Sequence, residues 1–188
     1  MLLLSEALRD IPVMSLQTGT QLAQTNEEII DPKDLTIIAC YVVGEGLDSD
    51  PTVLFMNDIR EAGELGFIID DSTNLMPLEG LVRLQEVIDG QFSLIGARVM
   101  DIRGNKIGKV TDYSFNPVDY TVQQLFVRPG LVQSLIHDSR LVNRRQIVDI
   151  KDNVIIIDSP DVTEKIIDKA EKATKLVNPF RSPDIEPR

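Results

Sequence analysis

The feature that most limits how this chain can fold is that it repeats itself. An offset of 85 lays "TGTQLAQTNEEIIDPKDLTIIACYV" (18 to 42) on "RGNKIGKVTDYSFNPVDYTVQQLFV" (103 to 127) without a gap. The matches fall where structure needs them: Gly19 on Gly104, Leu22 on Ile107, Ile30 on Phe115, Pro32 on Pro117, Asp34 on Asp119 and Val42 on Val127. After a three-residue adjustment, "DIREAGELGFIIDD" (58 to 71) lies on "QIVDIKDNVIIIDS" (146 to 159), pairing Ile59 with Ile147 and Asp70 with Asp158. Internal similarity of this length reads as a duplicated structural unit.

Each unit carries the signals of short strands. "IPVMSL" and "LIGARVMDI" lead to a Gly turn, then to a longer run ending at Asx-Pro, then to "LTIIACYVV" or "TVQQLFVR". Gly63 and Gly66, and the "KDN" at 151 to 153, punctuate the apolar strands "GFIID" and "VIIID". Five or six short strands in so short a unit are too few for a sandwich and fit a small closed or nearly closed barrel, which also protects strand edges. A helix is expected after each barrel. "LEGLVRLQEVID" (78 to 89) spaces Leu81, Leu84, Val87 and Ile88 helically across a weakening Gly80. "DVTEKIIDKAEKATKLV" (161 to 177) opens on a capping box at Asp161 and Glu164 and aligns Val162, Ile166, Ala170, Ala173 and Val177. The expected organisation is a mainly β chain: a first barrel with its helix at 1–90, a second at 91–160, a C-terminal helix at 161–177, and a proline-rich disordered tail at 178–188.

These residues resemble the PRC-barrel domain, the fold shared by the cytoplasmic part of the photosynthetic reaction-centre H subunit and the C-terminal domain of a ribosome-maturation factor that binds a small-subunit protein. The resemblance is carried by "LIGARVMDIRGNKIGKVTDYSFNP" (94 to 117): a strand, a Gly turn, Ile-Gly-x-Val, and an acidic residue before the next strand. In the first unit, Ala23 stands where Gly108 does and Thr25 where Val110 does. The resemblance implies two tandem PRC-like barrels and an interaction module without a shared catalytic site. Neither the transmembrane helix of the first relative nor the N-terminal domain of the second is expected from these residues.

Charge bounds the partners. The chain carries a formal net charge of -11, distributed as -13 over residues 1–90 and +2 over 91–188, so naked nucleic acid and anionic membrane are disfavoured. Cys40, the only cysteine, cannot form an internal disulfide and fits a reducing cytoplasm. "MLLLSEALRD" lacks a basic n-region, and Glu6 interrupts its apolar run; no stretch reaches the roughly 18 apolar residues of a membrane span.

Candidate chemistry is sparse. Gly104 to Lys109 has three residues between its glycines and Val110 after its lysine, so it reads as a hairpin turn and not a Walker loop. "HDS" (137 to 139) holds triad residue types as chain neighbours, which cannot form a relay, and His137 is the sole histidine. Cys40 lies among aliphatic residues, without the basic neighbour of an activated thiol. Asp48 and Asp50, and Asp70 with Asp71, fit no complete calcium loop. No cofactor, metal or catalytic set is expected. The densest basic patch before the C-terminal helix, Arg140, Arg144, Arg145 and Lys151, is the candidate interaction surface. The expectation is a non-enzymatic cytoplasmic module binding a protein partner, with a homodimer allowed. The alternative is an accessory factor on a ribonucleoprotein such as an assembling ribosome.

Overall fold

Short side chains set two corners of the backbone. In "DPKDLT" (31 to 36), Asp31 Oδ1 accepts from Lys33 N at 2.9 Å and Asp34 Oδ1 from Thr36 N at 3.0 Å. In "NPVDYT" (116 to 121), Asn116 Oδ1 accepts from Val118 N at 3.1 Å and Asp119 Oδ1 from Thr121 N at 3.0 Å. These are Asx turns, in which a side chain replaces the backbone acceptor. In each, the residue directly after the second acceptor, Leu35 after Asp34 and Tyr120 after Asp119, lies in the left-handed region, at φ 52° and 54°.

The computed structural model of the chain describes residues 1–130 and 139–158. The architecture is mainly β: two seven-stranded sheets, one of them a curled half-barrel, and a single α-helix among the described residues. A two-residue strand, β1 (Leu3–Leu4), opens the chain and is followed by a 3-10 turn at Ser5–Leu8. The first sheet is built from β2 (Pro12–Ser15), β3 (Gln21–Asp31), β4 (Thr36–Val43), β5 (Thr52–Phe55), β6 (Glu61–Gly63), β7 (Gly66–Ile69) and β8 (Leu75–Pro77). Helix α1 (Val82–Asp89) follows. The second sheet uses β9 (Arg98–Asp101), β10 (Lys106–Phe115), β11 (Val122–Arg128), β12 (Arg140–Asn143), β13 (Ile147–Lys151) and β14 (Val154–Ile157).

The first ladder runs β6-β7-β2-β3-β4-β5-β8; the second, read from its far end, runs β13-β14-β9-β10-β11-β12. In each sheet one pair is parallel, β2 with β7 and β9 with β14, and the remaining pairs are antiparallel. Neither ladder closes on itself through hydrogen bonds among the described residues. β1 crosses from the first half to pair with the end of β10, placing Leu3 opposite Phe115 and Leu4 opposite Ser114.

The helix begins later than its apolar spacing predicts. Gly80 takes φ +91°, and helical geometry starts only at Val82, with Leu81 as its N-cap. Leu84 is buried against Ile29, Ala39 and Val53, so α1 covers the outer side of β3, β4 and β5. The expected helix at 161–177 and the tail at 178–188 lie outside the described residues.

The two halves share one core. Ile37, Leu54 and Ile69 of the first belong to the same continuous buried cluster as Tyr113, Leu125 and Ile155 of the second. The backbone joins them as well. Ile37 N donates to Tyr120 O at 2.9 Å and Val122 N donates to Leu35 O at 2.9 Å, flanking a bridge between Thr36 and Thr121.

Candidate functional site

The residues singled out by the sequence fall into three environments. Cys40 is buried, with Sγ 3.7 Å from Met56 Sδ. Desolvation, and secondarily the charge of Glu28, push its thiol up to about 12, so it remains a neutral core group. The acidic pairs are consumed locally. Asp70 binds the Arg60 guanidinium through both carboxylate oxygens. Asp71 caps the turn at Ser72–Asn74, accepting from Thr73 N at 2.8 Å and also from Thr73 Oγ1, which holds its carboxyl below the usual range. Among the described residues no three or more His, Cys, Asp or Glu side chains gather where they could hold a metal ion. His137 lies outside the described residues.

The glycine turn at 101 to 106 is a hairpin between β9 and β10. Gly104 takes φ +83° and its N–H donates to Asp101 O at 2.9 Å. The Asp101 carboxylate closes the turn by accepting from Asn105 Nδ2 at 2.7 Å, Asn105 N at 2.8 Å and Arg103 N at 2.9 Å, and these bonds lower its pKa. The backbone donors that a phosphate would need are therefore already occupied by a carboxylate.

The basic patch divides. Arg140 opens β12 opposite Val127 and is half-buried, with its Nε enclosed. Arg144 sits in the 3-10 turn at Arg144–Gln146 and its Nη1 donates to Val122 O at 3.3 Å. It lines a cleft of about 380 Å³ between the Pro32–Leu35 corner of the first half and β13 of the second. Arg145 and Lys151 are exposed, at the turn before β13 and at its far end. Of the four cations, Arg144 is bonded to the second sheet, Arg140 is half-buried on it, and Arg145 and Lys151 present their charge to solvent.

A second set of cations escaped the sequence reading. Arg98, Lys109 and Arg128 lie on three different strands, and only the register brings them together: Lys109 faces Arg98 across the β9–β10 ladder and Arg128 across the β10–β11 ladder. The glycine before Lys109 makes this possible, because a Cβ on Gly108 would stand 2.2 Å from Arg128 O. No signal in the linear sequence joins these positions; a predicted strand register would have.

Two residues at which the first half departs from the second are also accounted for. Thr25, in the place of Val110, is fully buried, and its hydroxyl donates to Leu8 O at 2.6 Å and accepts from Ile11 N at 2.9 Å. Ala23, in the place of Gly108, is accommodated because a glycine stands across from it, at Gly44 just beyond β4.

Residues 88–163 match the family model of the PRC-barrel domain, and this stretch includes every strand of the second sheet from β9 to β14. No curated protein matches the chain. No helix among the described residues is long and apolar enough to cross a membrane.

Proposed function

We propose, on the premise that residues 88–163 are a PRC-barrel domain, that the chain is a tandem PRC-type interaction module that binds a protein partner and catalyses no reaction. The observation that carries this reading is the family match itself, over the half whose surface presents outward cations. Duplication is supported by the shared strand order of the two sheets, and by seam bonds that exchange places under the 85-residue offset: Val122 to Leu35 is the counterpart of Ile37 to Tyr120. On this reading the first unit spans 1–90 and the second 91–160, and both sheets are needed to complete one core.

The partner-facing positions in the patch are Arg145 and Lys151, since Arg140 is half-buried on β12 and Arg144 is bonded to Val122 O. A reducing cytoplasm suits the chain, whose one thiol is buried and unpaired. Association of two copies is compatible with the open sheet edges.

Affinity capture from native extract, with and without nuclease, tests the reading. A stoichiometric, nuclease-insensitive protein whose recovery falls in the Arg145→Glu, Lys151→Glu double variant supports it. Ribosomal proteins lost on nuclease treatment place the chain on a ribonucleoprotein instead. Recovery unchanged in the double variant removes Arg145 and Lys151 from the interface.

A further inference from the structure

Arg98, Lys109 and Arg128 form a row of three cations across three hydrogen-bonded strands, on the outward face of the second sheet. Directly opposed side chains on paired strands have Cβ atoms about 4.5–5.5 Å apart, and like charges at that separation destabilise the sheet. No acidic side chain among the described residues relieves them. The only ion pair there joins Arg60 to Asp70, in the other half. The nearby carboxylates are engaged elsewhere: Asp101 by its own turn, and Asp112 by Ser5 Oγ at 2.6 Å and Tyr113 N at 2.7 Å.

The fold does not require the row. The same register in the first sheet is filled by Pro12, Gln24 and Val43, Gln24 facing Pro12 on one side and Val43 on the other. Three uncharged residues therefore build the same stretch of ladder, and the cations of the second sheet are unfavourable for it. With Lys106, they line a groove of about 640 Å³ whose walls include Met100 and Pro129. That volume falls within the range of ligand-binding clefts.

From this arrangement we infer that the groove is a binding site for an extended acidic polypeptide segment in which carboxylate side chains alternate with apolar ones. The inference rests on the interaction-module reading and names the chemistry of the partner at a groove whose lining includes neither Arg145 nor Lys151, although the register continues the row through Val154 to Lys151. In an extended segment alternate side chains point the same way, so carboxylates can meet Arg98, Lys109 and Arg128 while apolar groups lie on Met100 and Pro129. Charge complementarity selects the occupant. A short acidic segment ends within the groove, whereas a nucleic-acid strand continues beyond it over a molecule whose residues 1–90 carry a net -13.

The test uses the full chain and a fluorescein-labelled synthetic peptide alternating aspartate with leucine, followed by anisotropy. Binding should weaken as salt rises. Lys109→Gln should reduce affinity by about tenfold, the ratio that ~1.4 kcal/mol of lost interaction represents, and Arg98→Gln should do the same. Because Lys109→Gln relieves the like-charge row, its melting temperature should equal or exceed that of the parent, which separates lost binding from lost folding. The inference is overturned if Lys109→Gln binds the peptide as tightly as the parent, or if a peptide with asparagine for aspartate binds equally. Tighter binding of labelled oligothymidylate overturns it in favour of nucleic acid. A concentration-dependent dimer in sedimentation that Lys109→Gln abolishes overturns it in favour of a second copy. If these results fail the groove while captured protein still depends on Arg145 and Lys151, the general module reading survives; loss of both removes it.

Discussion

The phenol oxygen of Tyr113 donates to Glu28 Oε1 at 2.6 Å, and the two residues occupy the same position in the two halves, 85 apart in sequence. Tyr113 is fully buried, and the second carboxylate oxygen of Glu28 is enclosed with no hydrogen-bond partner among the described residues. Removing one partner of such a pair leaves the other desolvated and unmatched, at a cost of about 1–3 kcal/mol. We therefore expect Tyr113→Phe to destabilise the chain by ~1–3 kcal/mol in urea unfolding. Glu28→Gln, which keeps an acceptor and removes the charge, should cost less. A double-mutant cycle with Glu28→Ala should give a coupling of roughly 0.5–3 kcal/mol; additive losses would show that the bond contributes nothing across the seam.

Alkaline pH should unfold the protein progressively. Burial first, and the charge of Glu28 second, raise the pKa of both Cys40 and Tyr113 above their ordinary values of 9.0 and 10.0, Cys40 to about 12. A raised folded-state pKa means that the unfolded chain loses its proton first. The stabilisation is complete below the unfolded pKa and is lost as pH rises toward the folded one. Unfolding free energy should accordingly fall from about pH 9 upward, and Cys40→Ala should flatten the fall between 9.0 and about 12 whatever it does to the baseline. Equal slopes in parent and variant would contradict the buried-thiol assignment. At neutral pH, Cys40 should resist thiol reagents until the protein is unfolded.

Gly108→Ala should destabilise the second sheet, because the new methyl would meet a backbone carbonyl that cannot swing aside, Arg128 O at 2.2 Å. Overpacking of this kind costs about 1–3 kcal/mol. Gly44→Ala, with Leu22 O at 2.8 Å, should cost less but carry the same sign. Thermal melts of the two variants check both values; a neutral Gly108→Ala would mean that β10 and β11 do not approach so closely.

How much of this was legible before the structure follows from which interactions are local. The corners at Asp31–Thr36 and Asn116–Thr121 and the hairpin at Gly104 could be read because each is closed by a side chain within four residues of the backbone it bonds. Helix α1 was visible from Leu84, Val87 and Ile88, though Gly80 delays its start. β1 was not visible, since two residues carry no periodicity and its partner is β10 of the other half. Nor was the fusion of the cores, because the contacts of Leu35 with Val122 and Glu28 with Tyr113 depend on how two units pack. The same holds for the site. Arg140, Arg144, Arg145 and Lys151 stand out because they are neighbours in sequence, while Arg98, Lys109 and Arg128 become neighbours only through strand register.

The central claim is that the two halves, joined through a shared core, form one folding unit that presents the surface of the second. Site-resolved hydrogen exchange tests this most directly, by comparing the slowest amides of β4, such as those of Ile37 and Cys40, with those of β11, such as Val122 and Leu125. The account predicts that both sets exchange with the same opening free energy, that of global unfolding. If the β4 amides open at a distinctly lower free energy while those of β11 stay protected, the halves are independent domains, and the shared core does not bind them into one unit.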